Sequence, residues 1–157
     1  MFGERRNMQD YIESLDKLEA AEVVIVGETV KALPEAAEVT TEGKAAIEEA
    51  RAAYDALTPE QKEELGPEAL EKLEAAETAL AGAEIEALPA ENEVTTEDKE
   101  AIAEARQTYE ALNDAQKEKV GAETLAKLEA AEVKLVEAEV TVLPADRKST
   151  RLNSSHL

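Results

Sequence analysis

The chain of 157 residues has no cysteine and no tryptophan, and it has one histidine and one phenylalanine. The lack of cysteine excludes disulfides and thiolate metal ligands. Its only histidine, His156, lies in a C-terminal segment that we set apart below. The remaining chain therefore offers mainly Asp, Glu, Lys and Tyr for acid–base work, and the sequence predicts no cofactor, no metal site and no enzyme activity.

Basic residues and long apolar runs are also scarce. Seventeen Lys and Arg face 37 Asp and Glu, which gives a formal net charge of −20. Such a chain repels phosphate backbones and anionic lipid, so no nucleic-acid partner is expected. The β-branched run at 23–26 is too short to span a bilayer, and no membrane insertion is expected. The first residues lack the apolar core of a signal peptide.

Ala, Glu, Leu and Lys dominate the chain, and they recur in a repeat. Residues 32–81 and 87–136 align at a fixed offset of 55 residues, with roughly 30 of these 50 positions identical. The motif KLEAAE occurs three times, because residues 10–34 match only the last third of a unit. A composition of this kind is typical of helical repeats.

Each unit divides into three helical segments. In the second copy the first segment begins at Thr95, with Asp98 at capping-box spacing. In the first copy the second segment begins at Thr58, with Gln61 at the same spacing, and ends at Gly66. Apolar residues share one face of the first and third segments of the first copy: Ile47, Ala50, Tyr54, Leu57, Leu70, Leu73, Ala76 and Leu80.

This pattern predicts an elongated all-α fold of tandem three-helix bundles, with two full 55-residue repeats and a leftover N-terminal helix. We expect a partial repeat over 1–31, three-helix repeats over 32–86 and 87–145, and a disordered tail over 146–157. The stripe of the N-terminal helix would face water unless it docks on the next unit or self-associates. It comprises Leu15, Leu18, Ala21 and Ile25.

Residues 146–156 differ from the rest of the chain, since Ala and Glu vanish and Ser, Arg and Asn replace them. The string DRKSTRLNSSH resembles a translated sequencing-library adapter, so we interpret it as non-native and leave it out of fold reasoning. Together with the incomplete N-terminal unit, it predicts a fragment of metagenomic type that is truncated at both ends.

The constellation LP…VTTEDKEAI…AR..YEAL…QKE.V…L.KLEAAE resembles the FIVAR-type (found in various architectures) modules over residues 32–144. The resemblance implies tandem helical modules of bacterial surface proteins and of multimodular carbohydrate-active enzymes. In such proteins the modules are described as spacers or as binders of carbohydrate or host matrix. It therefore implies an extracellular or cell-surface location for the parent protein.

One recurring pair of side chains suggests a binding surface. Arg51 with Tyr54, and Arg106 with Tyr109, are residue types favoured at interfaces. The competing interpretation is that each Tyr fills the core while each Arg pairs with a glutamate of the third helix. Tyr54 continues the apolar stripe, which favours the second interpretation.

The sequence thus predicts a non-catalytic spacer or stalk that displays other domains of a larger bacterial cell-surface protein. The first alternative is a helical module that binds a glycan or an extracellular-matrix protein. The second alternative is an intracellular helical scaffold, which the lack of a signal peptide permits. Self-association through the unpaired N-terminal helix is a further expectation.

Overall fold

The computed structural model describes residues 2–143, with side chains from residue 7 onward. The segment interpreted as a non-native tail, including His156, lies outside the described residues. Every regular element within residues 2–143 is a helix, which confirms the predicted all-α class. None of these helices is long and apolar enough to cross a membrane.

Seven α-helices follow one another along the described chain. They are α1 Phe2–Lys31, α2 Lys44–Ala56, α3 Pro59–Leu65, α4 Pro67–Ala87, α5 Lys99–Ala111, α6 Asp114–Val120 and α7 Ala122–Val142. Short 3₁₀ turns precede α2 at Ala36–Glu38 and Thr41–Gly43, and precede α5 at Glu91–Glu93 and Thr96–Asp98. The elements of the two copies therefore correspond one to one.

Capping residues set several helix boundaries. The side chain of Thr58 accepts a hydrogen bond from the backbone N–H of Gln61, and the Gln61 side chain accepts one from the backbone N–H of Thr58. Thr95 and Asp98 form the corresponding box before α5. In the first copy Gly43 replaces this aspartate, and the side chain of Thr40 makes no cap hydrogen bond.

Gly66 and Gly121 separate the second and third helices of each copy. Their φ angles are 87° and 89°, with extended ψ angles of 163° and 154°. Only glycine adopts this combination at little cost, because a Cβ atom would collide with the backbone. Each glycine thus ends one helix and lets the next begin immediately, with Pro67 at the first position of α4.

Two hydrophobic clusters form the interior of the described chain, and each draws on three long helices. The first cluster combines the end of α1, one face of α2 and the N-terminal half of α4: Val26, Val30, Leu33, Val39, Ile47, Ala50, Tyr54, Leu57, Leu73, Ala76 and Leu80. The second combines the C-terminal half of α4 with α5 and α7: Ala81, Ile85, Leu88, Ile102, Ala105, Tyr109, Leu112, Leu128, Ala131 and Leu135.

Helix α4 belongs to both clusters. Its residues up to Leu80 close the first cluster, and Ala81, Ile85 and Leu88 at its C-terminal end enter the second. At about 100° per residue these three residues lie roughly 110° around the helix from Leu73, Ala76 and Leu80, so α4 buries a different face in each cluster. No flexible segment separates the two clusters along α4.

Helix α1 buries a different face from the stripe noted in the sequence. Leu15, Leu18 and Ile25 are 39%, 61% and 64% exposed, as expected for a stripe facing water. Val26 and Val30 are instead at most 5% exposed, because they pack against the first cluster. The helix therefore docks on the following unit through its C-terminal end.

Candidate functional site

The two recurring arginines form closely similar ion pairs with the third helix of their own copy. Arg51 donates from Nε and Nη2 to the two carboxylate oxygens of Glu77, at 2.5 and 2.6 Å. Arg106 contacts Glu132 in the same bidentate geometry, at 2.6 and 2.5 Å. The hydrogen bonds to Glu77 raise the pKa of Arg51. The guanidinium groups are thus engaged by carboxylates of the chain itself.

The two recurring tyrosines lie within the clusters. Tyr54 and Tyr109 are each 8% exposed. The guanidinium carbon of each neighbouring arginine lies 5.9 Å from the ring centroid, and the Nζ atoms of Lys62 and Lys117 lie at 5.2 and 5.6 Å. These distances suit cation–π contacts over the two tyrosine rings. Each arginine thus lies beside the tyrosine of its own copy, and the tyrosine rings offer little surface to a ligand.

Each copy has one buried glutamine that binds the third helix preceding that copy. The side-chain amide of Gln116 donates to the carbonyl oxygen of Glu74 at 3.0 Å and to the carboxylate of Glu77 at 2.9 Å. Gln61 donates in the same way to the carbonyl of Glu19 and the carboxylate of Glu22. Each glutamine thus caps its own helix and binds its neighbour.

A lysine–glutamate pair also recurs, in two different settings. Lys44 Nζ lies 3.0 Å from Glu84, whose side chain is 8% exposed. The corresponding Lys99 and Glu139, at 2.7 Å, are 64% and 41% exposed. Helix α5, which packs on α4 and carries Glu104 beside Lys44, lies over the first pair only.

An open groove of about 840 Å³ separates α2 from α5 and α6, with α4 at its floor. Its lining includes Lys44, Arg51, Glu77, Glu104 and Gln116. Carboxylates outnumber basic groups along it, and Arg51 is held by Glu77 and Asp55. The groove could take a polar ligand, but it presents no free cation for an anionic one.

The chemistry of the described residues is that of a charged helical surface. Within residues 2–143 no group of three or more carboxylates and imidazoles is arranged to hold a metal ion. Glu77, Glu84 and Glu132, at the margins of the clusters, are each paired with an Arg or Lys side chain.

Comparison with family models, with curated proteins and with solved structures gives no match. The resemblance to FIVAR-type modules therefore stays a prediction from the motifs.

The sequence did not reveal the second role of the glutamines. Gln61 and Gln116 stand at capping-box spacing, which accounts for them locally. Their contacts with the preceding third helix lie 39 to 42 residues away. The available signal was that Glu19, Glu74 and Glu22, Glu77 recur at the same offset of 55 as the glutamines.

Proposed function

We propose that this chain is a non-catalytic spacer that holds other domains of a larger protein at a set distance. Its three-helix units are joined in tandem through shared third helices. The observation that carries the proposal is that α4 supplies residues to both hydrophobic clusters. A junction of this kind leaves no hinge between units.

The shared helix resists bending because bending would expose its apolar end. Ala81, Ile85 and Leu88 are at most 5% exposed at the junction. Burial of each large aliphatic side chain contributes roughly 1.5–3 kcal/mol. Gln116 and Lys127 add hydrogen bonds across the same junction, to the carbonyls of Glu74 and Glu86. Separating two units would therefore cost several kcal/mol, which favours a semi-rigid rod.

Small-angle X-ray scattering tests the rod. A compact chain of this length would have a radius of gyration of about 15 Å. We expect a clearly larger value, with a pair-distance distribution that has a peak at the helix-bundle diameter and a long tail. A value near that of a sphere would contradict the proposal.

Matched variants connect the shape to the junction. Ile85→Ser places a hydroxyl in the second cluster, while Val140→Ser changes the corresponding residue of α7, which is 59% exposed. Ile85→Ser should broaden the pair-distance distribution as the junction loosens, and Val140→Ser should leave it unchanged.

The proposed parent is a bacterial cell-surface protein, and the FIVAR resemblance is the support for that location. Sequencing the source locus across both ends of this chain tests it. A wall anchor or an enzyme domain in the same reading frame supports the surface stalk. A short gene that encodes residues 1–157 alone would favour the intracellular scaffold.

A glycan-binding module is the second candidate, favoured by the open groove between α2 and α5, whose lining includes charged and amide side chains. Ala52 lines this groove and its side chain is exposed, so Ala52→Trp would fill the groove without touching the core. Retention of the chain on a glycan array, lost in Ala52→Trp and kept in Ala126→Trp, would support this candidate.

A further inference from the structure

The C-terminal half of α7 carries an apolar face that its counterparts bury. Val136, Val140 and Leu143 are 58%, 59% and 69% exposed. At the offset of 55 residues they correspond to Ala81, Ile85 and Leu88 of α4, and at twice that offset to residues of α1. All six counterparts are at most 5% exposed: Ala81, Ile85, Leu88, Val26, Val30 and Leu33.

The chain itself shows twice what covers this face. On α1 it is covered by α2 and α3, and on α4 by α5 and α6. In both places the same four apolar positions of the covering helix are used: Ile47, Ala50, Tyr54, Leu57 and Ile102, Ala105, Tyr109, Leu112.

The polar groups of this interface recur on α7 as well. Glu74 and Glu77 receive the amide of Gln116, and the residues 55 positions later are Glu129 and Glu132. Glu132 is 33% exposed where Glu77 is 16% exposed, and among the described residues no glutamine donates to it as Gln116 does to Glu77. The pair of Lys99 and Glu139 is likewise uncovered, unlike Lys44 and Glu84.

We propose that residues 129–143, the C-terminal part of α7 with the residue that follows it, form a docking face for the first and second helices of a further unit of this repeat. The docked unit carries the Ile, Ala, Tyr, Leu stripe and a capping glutamine that donates to the carbonyl of Glu129 and the carboxylate of Glu132. This inference rests on the proposed spacer function, because it names the partner that would lengthen the rod.

One residue makes this face selective. Gly27 of α1 and Gly82 of α4 correspond to Glu137 on α7. A Cβ atom at Gly27 would lie 3.1 Å from Leu65 Cδ1 of the covering unit, while a Cβ at Gly82 meets nothing within 4 Å. In the second interface Val120 stands at the position of Leu65. We call a unit with valine at this position Val120-type and one with leucine Leu65-type. The α7 face therefore accepts a Val120-type unit and disfavours a Leu65-type unit.

Chain extension tests the face directly. In place of residues 146–157, a copy of residues 91–145 continues the offset of 55 and supplies a Val120-type unit. A copy of residues 36–90 supplies a Leu65-type unit. Hydrogen exchange of the amides of residues 133–143 should slow at least about tenfold with the Val120-type unit, because opening then requires undocking. The Leu65-type unit should slow exchange less, and Glu137→Gly should restore the full slowing because glycine removes the Cβ atom that meets Leu65.

Val140→Asp is the matched control. It should abolish the slowing in the extended chain and leave exchange in the original chain within about twofold. Equal exchange with and without the Val120-type unit would overturn the proposal, as would slowing that survives Val140→Asp. A concentration-dependent dimer of the original chain that Val140→Asp dissociates would also overturn it, since a second copy would then occupy the face. Scattering of the original chain judges the spacer function separately.

Discussion

Many residues of the first copy have an identical counterpart 55 positions later, and the two members of such a pair differ only in their surroundings. The bidentate contact of Arg51 with Glu77 is repeated by Arg106 with Glu132, yet the second glutamate is twice as exposed. Since the chemistry is the same, the difference in burial comes from the helix that covers one copy and not the other. Such pairs give every substitution a built-in comparison.

Gln116 is expected to contribute more to stability than a surface glutamine. Its side chain is 3% exposed, completes the capping box of α6 and donates to Glu74 and Glu77. Gln116→Ala leaves these groups unpaired and should lower the free energy of unfolding by about 1–3 kcal/mol. Urea denaturation measures the change. Gln107→Ala, at an exposed position of α5, should stay within about 0.5 kcal/mol, and equal effects would argue against the role of the buried amide.

Lys44 should make stability depend on alkaline pH. Burial alone would lower the pKa of Lys44, but the hydrogen bond and charge of Glu84, with Glu104 and Glu48, outweigh it and raise the pKa. Its contribution is therefore present below the unfolded pKa of about 10.5 and is lost as pH rises through the higher folded pKa.

The matching variant is Lys44→Arg, because arginine keeps its charge in this range. We expect a shallower loss of unfolding free energy above about pH 10 in Lys44→Arg than in the original chain. Lys119→Arg, at an exposed position, is the control and should leave the slope unchanged. Identical slopes in all three chains would show that Lys44 does not contribute to the loss of stability at alkaline pH.

At the scale of the helix, the local sequence determines where a helix begins and ends, whereas the neighbouring helices determine which of its faces is buried. Thr58, Gln61 and Gly66 fix the ends of α3 through their own chemistry, and the sequence predicts them well. The buried face of α1 was missed, because this helix carries apolar residues on two faces. Which face is buried depends on which neighbour follows, and Val26 meets one while Leu18 does not.

The candidate site follows the same division. The stripe at 3.6-residue spacing placed Tyr54 correctly beside Ile47 and Leu57. Helical spacing alone could not assign Gln61 to Glu22, since that contact depends on how two helices cross. The helical spacing of apolar residues therefore predicts the buried face within one helix. It does not predict which side chains meet between units.

Two glycines in helical surroundings should respond oppositely to alanine. Gly66 has φ 87° and ψ 163°, so Gly66→Ala should cost about 1–3 kcal/mol of stability. Gly82 lies inside α4 with open space beside it, so Gly82→Ala should stabilise by about 0.5–1 kcal/mol. Thermal and urea unfolding of both variants measure the two signs. Stabilisation by Gly66→Ala would contradict the backbone argument.

The corresponding faces of α4 and α7 should also respond differently to alanine. Ile85 is fully buried in the second cluster, so Ile85→Ala should destabilise by about 2–5 kcal/mol. Val140, at the corresponding position of α7, is exposed, and Val140→Ala should change stability by less than about 0.5 kcal/mol. Calorimetric unfolding of the two variants tests the contrast. A comparable loss in both would mean that the α7 face is already covered.

The whole molecule is governed by its charge as well as by its clusters. Acidic residues outnumber basic ones by 37 to 17, and most of them lie on exposed helix faces. Like charges along the chain repel one another and oppose compaction. This repulsion therefore lowers the stability of the folded units.

Salt should therefore stabilise the chain. Raising the ionic strength from 0.01 M to 0.15 M shortens the Debye length from about 30 Å to about 8 Å, which screens the net repulsion. We expect the Tm to rise over this range. Glu63→Lys with Glu118→Lys, both at exposed positions, reduces the net negative charge by four and should flatten the rise. A Tm that falls with salt would show that the ion pairs outweigh the repulsion.

Sharing α4 between two clusters also bears on how such a chain changes in copy number. A duplicated stretch of 55 residues brings the covering helices for the face before it and a new face for whatever follows. Gain or loss of whole units therefore preserves every junction except the one whose partner changes, wherever within the unit the breakpoint falls. At Glu137 the other copies have glycine. The residue at this position then influences which type of unit can dock on the end of the chain after a duplication.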